Sequence, residues 1–103
     1  MREVVWADEA LDDMDALAAY IATRNPAAAS RVVDRIDETV DNLSHIPTGR
    51  RGRVDDTYEK PVRGLRYIIA YALQALPDGG ERIVILHVIH TSRNWPQGHW
   101  PEP

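Results

Sequence analysis

Residues 66–90 read RYIIAYALQALPDGGERIVILHVIH, and this stretch decides the fold. Arg66 to Leu73 and Arg82 to His90 are rich in Ile, Val and Tyr, side chains that suit a pleated, half-buried surface. Pro77-Asp78-Gly79-Gly80 between them is strong turn chemistry. The pattern predicts two antiparallel strands, near 65–74 and 82–91. If Leu76 faces Glu81 across the turn, the ladder sets Tyr67 opposite His90 and Tyr71 opposite Leu86. No uninterrupted apolar run is longer than seven residues, the length of Tyr67 to Leu73. A membrane-spanning helix needs about twenty, so a transmembrane protein is excluded.

Upstream, Arg2-Glu3-Val4-Val5-Trp6 is a short β-favouring run that ends where acids begin. Asp8 reads as an N-cap, with Glu9, Asp12 and Asp13 near the positive end of a helix dipole. Leu11, Met14, Leu17, Ala18 and Ile21 recur at helical spacing, predicting a helix near 8–24. Asn25-Pro26 stops it and starts the next, since proline disfavours helical geometry before it and is welcome as a first helical residue. Ala29, Val32, Val33, Ile36, Val40 and Leu43 form the stripe of that second helix, near 26–45. So short a join forces an antiparallel helical hairpin, and its two apolar stripes need a further surface to bury against. A weaker strand is expected near 54–60, kept at an edge by Pro61, and an irregular Pro-rich tail from about 94 to 103. The order β-α-α-β-β-β gives an α+β fold, a helical hairpin on a small antiparallel sheet, in a single domain spanning 1–103.

At 103 residues, 44% hydrophobic and 27% charged, the chain has the balance of a globular protein. No cysteine is present, which excludes disulfide scaffolds and thiol catalysis and suits a reducing cytoplasm. No apolar core near Met1 is long enough for a secretory signal. The net charge of −4 is unevenly placed: ten acids face four arginines in residues 1–41, whereas six of the later bases lie between Arg50 and Arg66. A globally acidic chain binds nucleic acid poorly without specificity, but a local basic stripe suits one partner.

The stripe begins with Gly49-Arg50-Arg51-Gly52-Arg53, either a solvated turn or a clamp for phosphate or carboxylate. It lacks the strand context and Lys-Ser/Thr of a phosphate-cradling P-loop. His87 and His90, three apart on a strand, point to opposite sides, so no metal site is expected, and no cofactor. His90, Tyr67 or Tyr58, Arg66 and Arg93 together would hold the parts for metal-free RNA cleavage: a base, an acid and cations for the transition state. On composition alone the plainer reading prevails, with the tyrosines packed and hydrogen-bonded and the arginines solvated.

Several short pieces, in order and spacing, resemble the RelE/ParE superfamily of type II toxin–antitoxin toxins over essentially the whole length. They are Trp6-Ala7 before an acidic helix, Asn25-Pro26-Ala27-Ala28-Ala29 between helices, and Leu43 to Pro47 followed by Gly49-Arg50-Arg51-Gly52. Arg66 to Tyr71 follows, then Ile83 to Ile89 leading into His90-Thr91-Ser92-Arg93-Asn94-Trp95-Pro96, whose His-x-x-Arg-x-Trp-Pro pattern is most similar to the ParE branch. The resemblance implies a toxin held by a cognate ParD-like antitoxin in a hetero-oligomer, the antitoxin's C-terminal segment wrapping the toxin. RelE-like members cut mRNA in the ribosome, and characterised ParE members act against DNA gyrase. Where many members carry an arginine before the glutamate that starts the second strand, this chain has Tyr58, which weighs against a role needing a cation there. With one lysine in the chain, the basic crowding of a ribosome-dependent nuclease is only partly present. The ParE-like reading is therefore favoured, with target-binding residues Arg50, Arg51, Arg53, Arg63, Arg66, Arg93 and Trp95. The nuclease alternative would use His90, Arg66, Tyr67 and Tyr58, and a non-toxic binding module is the third possibility.

Overall fold

The β-rich stretch 66–90 forms two long strands in a computed structural model, which describes residues 1–101. The elements in chain order are β1 (Glu3–Trp6), α1 (Asp8–Ala22), α2 (Pro26–His45), β2 (Arg50–Arg51), β3 (Tyr58–Pro61), β4 (Tyr67–Ala75) and β5 (Glu81–His90). They build a five-stranded sheet in the order β1-β5-β4-β3-β2. All neighbours are antiparallel except β1 and β5, so the expected antiparallel sheet is a mixed one. The parallel pair follows from the helical hairpin, which returns the chain to the sheet before β2 and lets the last strand run beside the first.

At the turn the β4–β5 ladder pairs Glu81 with Ala75 rather than Leu76, and a shift between Ala70 and Tyr71 then restores the expected pair of Tyr67 with His90. Tyr71 therefore pairs with Ile85 rather than Leu86. A bulge of this kind puts one extra residue on one strand. Here it changes which side chains share a face. Ile69 with Val88, Tyr71 with Ile85 and Leu73 with Ile83 look toward the helices, while Ala70 with His87 and Ile68 with Ile89 look away. Ala10 and Leu17 of α1 and Ile36, Val40 and Leu43 of α2 close the core against the first set.

Local details depart from the sequence reading for identifiable reasons. Asp8 is not the N-cap of α1: Ala7 holds that position without a side-chain bond, because the chain enters the helix straight from β1. The Ala7 N–H goes to the Ile85 carbonyl (2.9 Å), and its own carbonyl accepts from Ala10 and Leu11. The buried stripe of α1 runs through Ala10 and Leu17, leaving Leu11 47% exposed. The helix ends at Ala22 rather than 24, where Ile21 O accepts from both Arg24 N and Asn25 N. Asn25 does cap α2, its side chain accepting from Ala28 N at 3.1 Å. The strand expected near 54–60 begins only at Tyr58, because Thr57 folds back on Val54 O through its amide and its hydroxyl, and Asp56 adopts φ 62°. Arg50–Arg51, read as loop, pairs with β3 as β2. Residues 91–101 hold no helix or strand, and the last two residues of the expected tail lie outside the described residues.

Core burial predicts the stability ranking. Ile36, fully buried, should cost about 2–5 kcal/mol when changed to Ala, whereas the exposed Leu11→Ala should cost no more than about 0.5 kcal/mol. Chemical denaturation of the two variants checks this directly.

Candidate functional site

On the face of the sheet away from the helices, the register lines up Arg50, Glu59, Ala70 and His87 across four strands. Glu59 is 1% exposed, and a buried carboxylate is tolerable only if charge and hydrogen bonds satisfy it. Here they do. Arg50 Nη2 lies 3.2 Å and Arg53 Nη1 3.0 Å from Oε1, and the Arg53 backbone N–H donates to Oε2 at 2.7 Å. Gly52 lets this loop lie close to the sheet, since a Cβ there would sit 2.3 Å from Thr57 Oγ1 and 3.1 Å from the Thr57 carbonyl carbon.

The tail packs on the same cluster. The Arg53 guanidinium sits 4.2 Å from the centre of the Trp95 ring, a cation–π contact, and Trp95 stacks on Trp100 at 5.9 Å. Trp100 lies 4.7 Å from His87, whose Nδ1 is 2.9 Å from Asp13 Oδ2 on α1. The same oxygen accepts from Val88 N at 2.9 Å, on the β5 edge beyond the end of β1. The Arg53 carbonyl accepts from Gly98 N (2.8 Å) and Gln97 Nε2 (3.2 Å).

A second feature opens on the helix side, a hollow of about 530 Å³ lined by Asp13, Ala16, Leu17, Tyr20, Tyr67, Val88, His90, Ser92 and Arg93. The Tyr67 and His90 rings meet edge to face, 5.1 Å apart. Ser92 N donates to His90 Nδ1 (3.0 Å), and Ser92 Oγ lies 2.7 Å from the same atom. That bond assigns the lone pair to Nδ1, so the neutral ring carries its proton on Nε2 and offers a donor there. Burial, and secondarily Tyr20, pushes the Tyr67 phenol above its ordinary range, which disfavours phenolate.

The residues singled out from the sequence divide between these places. Arg50 and Arg53 meet at Glu59, with Trp95 on the Arg53 guanidinium, and Tyr67, His90 and Arg93 meet at the hollow. Arg51 stands at the register position of Tyr58, on the opposite face from Arg50. Tyr58 stacks on Tyr71 at 5.5 Å, four residues along β4 from Tyr67, roughly 13 Å at strand rise. Arg63 and Arg66 are exposed at the β3–β4 turn, their carbonyls accepting from Arg35 Nη1 and Thr91 N. Sequence reasoning missed Glu59, Trp100, His87 and Asp13. Asp12-Asp13 looked like helix capping, and nothing local marks Glu59 as buried; only the strand register does.

The tyrosine predicts an alkaline stability slope. The folded state keeps a proton on Tyr67 that the unfolded chain releases near pH 10, so its contribution is complete below about pH 10 and is lost as pH rises through the raised folded value. Denaturant midpoints taken above about pH 9 should fall less steeply in Tyr67→Phe than in the parent.

Among the described residues, no helix is long and apolar enough to cross a membrane. The family model described as ParE toxin of type II toxin-antitoxin system, parDE, matches residues 4–95. The chain is 37% identical over 97 residues to Y4kP of Sinorhizobium fredii, covering 93% of this chain and 95% of that protein. It is 39% identical over 94 residues to Toxin RelE2 of Caulobacter vibrioides, covering 90% and 99%. Among solved structures, a chain of the chromosomal ParDE TA system from P. aeruginosa has a TM-score of 0.78 over 89% of this chain and 98% of its own, at 21% identity, a likeness of fold. With that match running from β1 to Trp95, this chain belongs to the ParE toxin family of type II toxin–antitoxin systems.

Proposed function

We propose that this toxin, acting as a single domain in the cytoplasm, arrests growth by binding DNA gyrase, and that a ParD-like antitoxin neutralises it in a hetero-oligomer. The observation that carries the reading is the dispersal of the set an RNA-cleaving site needs. Tyr58 and Arg66 do not line the hollow where Tyr67 and His90 meet, and His90 has its Nδ1 engaged by Ser92. In that tautomer the other ring nitrogen donates rather than accepts, which removes the general base. What the chain offers instead is a tryptophan–arginine surface, the composition that dominates binding energy at protein interfaces. Arg53, Trp95, Trp100 and the 58%-exposed Arg50 side chain belong to it, with Arg93 at its margin.

The antitoxin reading draws on charge and shape. The exposed acids of both helices, among them Asp8, Glu9, Asp12, Asp34, Asp37, Glu38 and Asp41, and the arginines beyond residue 49 offer surfaces of opposite sign. An extended segment that wraps the toxin can use both.

A pulse of expression with two readouts tests the proposal: mRNA cleavage on ribosomes, and gyrase supercoiling with trapped DNA breaks. Growth arrest with intact mRNA and inhibited gyrase is expected, relieved by co-expression of the antitoxin. Arg93→Ala with Trp95→Ala should weaken arrest by roughly tenfold or more, the loss typical of truncated hot spots. Cleavage at codon positions, abolished by His90→Ala or Arg66→Ala, would overturn the gyrase reading in favour of a nuclease.

A further inference from the structure

The C-terminal tail reaches the sheet without a strand ladder, so something else must set where Trp95 sits. Residues 91–101 contain no regular element, and the backbone bond from Gly98 N to the Arg53 carbonyl joins tail to loop at 2.8 Å. Arg53 supplies that carbonyl, the second acceptor contact from Gln97 and the cation over Trp95. Arg53 is in turn gripped at two points by one group, since Glu59 takes its backbone N–H on Oε2 and its guanidinium on Oε1. A single carboxylate therefore fixes both the main chain and the side chain of the residue on which the tail is laid.

We infer that Glu59 is a positioning residue for the toxin's target contact: buried beneath the arginine loop, it holds Arg53 and, through Arg53, sets the presentation of Trp95. The inference rests on the gyrase reading for what Trp95 binds, but not for how Trp95 is held. Two features make the hold necessary. The Trp95 Nε1 atom has no hydrogen-bond partner among the described residues, so the position of the ring is left to its contact with Arg53 and its neighbours. Glu59 also lies on the face away from the helix-facing core, so its charge is not needed to close that core.

Glu59→Gln in the full chain is the test, because it keeps the shape while removing the charge and turning half of the group into a donor facing Arg53. With the helix-facing core intact by circular dichroism and by amide protection of β4 and β5, exchange at Gly98 N–H should accelerate at least tenfold. The Trp95 indole resonance should move, and growth arrest should weaken by a similar factor. Arg53→Lys, which retains the backbone grip and a cation, should retain Gly98 protection. A purely structural role would instead lower protection throughout the sheet. Should Glu59→Gln fail to fold, Glu59→Asp, which draws the carboxylate back by one methylene, must give the local Gly98 and indole changes, and their absence overturns the inference. Wild-type Gly98 exchange in folded Glu59→Gln overturns it as well, as does a released tail with undiminished arrest in a toxin that Trp95→Ala inactivates. Full arrest in Trp95→Ala with Arg93→Ala would defeat the gyrase surface, while the Gly98 and indole signals still decide whether Glu59 positions the tail.

Discussion

The bulge between Ala70 and Tyr71 in the β4–β5 pair governs which side chains the rest of the molecule can use. On an uninterrupted strand, side chains alternate strictly, and the face of Ile83 and Ile85 would next receive His87. The extra residue resets the alternation, so Val88 follows Ile85 into the core and His87 turns to the opposite face. One inserted position thereby keeps an imidazole out of the hydrophobic layer and delivers it to Trp100 and Asp13. It also sets His90 beside Tyr67 on the helix side, separating the two histidines by the thickness of the sheet. Both surface features, the tryptophan cluster and the hollow, descend from that local irregularity.

Helices were legible from sequence because their determinants are local. The stripe of α2 through Ile36, Val40 and Leu43 and the Asn25 cap depend on residues a few positions apart. On α1 the local signal pointed to Leu11 where the structure buries Ala10, since the helix starts one residue past β1 and its rotation is fixed by the Ala7–Ile85 bond. The turn Pro77-Asp78-Gly79-Gly80 gave the hairpin but not its register: Glu81 pairs with Ala75, and the Tyr67–His90 pair is reached only because a bulge farther along offsets that slip. The candidate site was legible as residue types, with Arg50, Arg53, Trp95, Tyr67 and His90 all in the two features. Their grouping was not, because it depends on cross-strand register. Glu59 looks like any strand acid until its neighbours across β2 and β4 are known.

The charge asymmetry of the chain acquires a physical meaning in three dimensions. Acids crowd the outward sides of the two helices, whereas Arg50 and Arg53 gather at the sheet's other face around a single buried carboxylate. Two guanidinium groups on one carboxylate leave one net positive charge beside two stacked indoles, a combination that discriminates partners by shape as well as by charge.

The parallel pairing of β1 with β5 joins residues separated by almost the whole chain, Glu3 with Arg82 through Trp6 with Ile85. The apolar stripes of the helical hairpin likewise find their cover only in β4 and β5. Such non-local closure is slow relative to helix formation and leaves the first half of the chain without a finished core until the last strand exists. A nascent hairpin emerging from the ribosome is therefore an amphipathic helix pair with an open apolar face. The arginine–tryptophan surface cannot assemble at that stage, because Trp95 and Trp100 follow β5 in the chain. Assembly of that surface is thus tied to completion of synthesis, and a fragment released early carries the acidic helices without the two indoles of the opposite face.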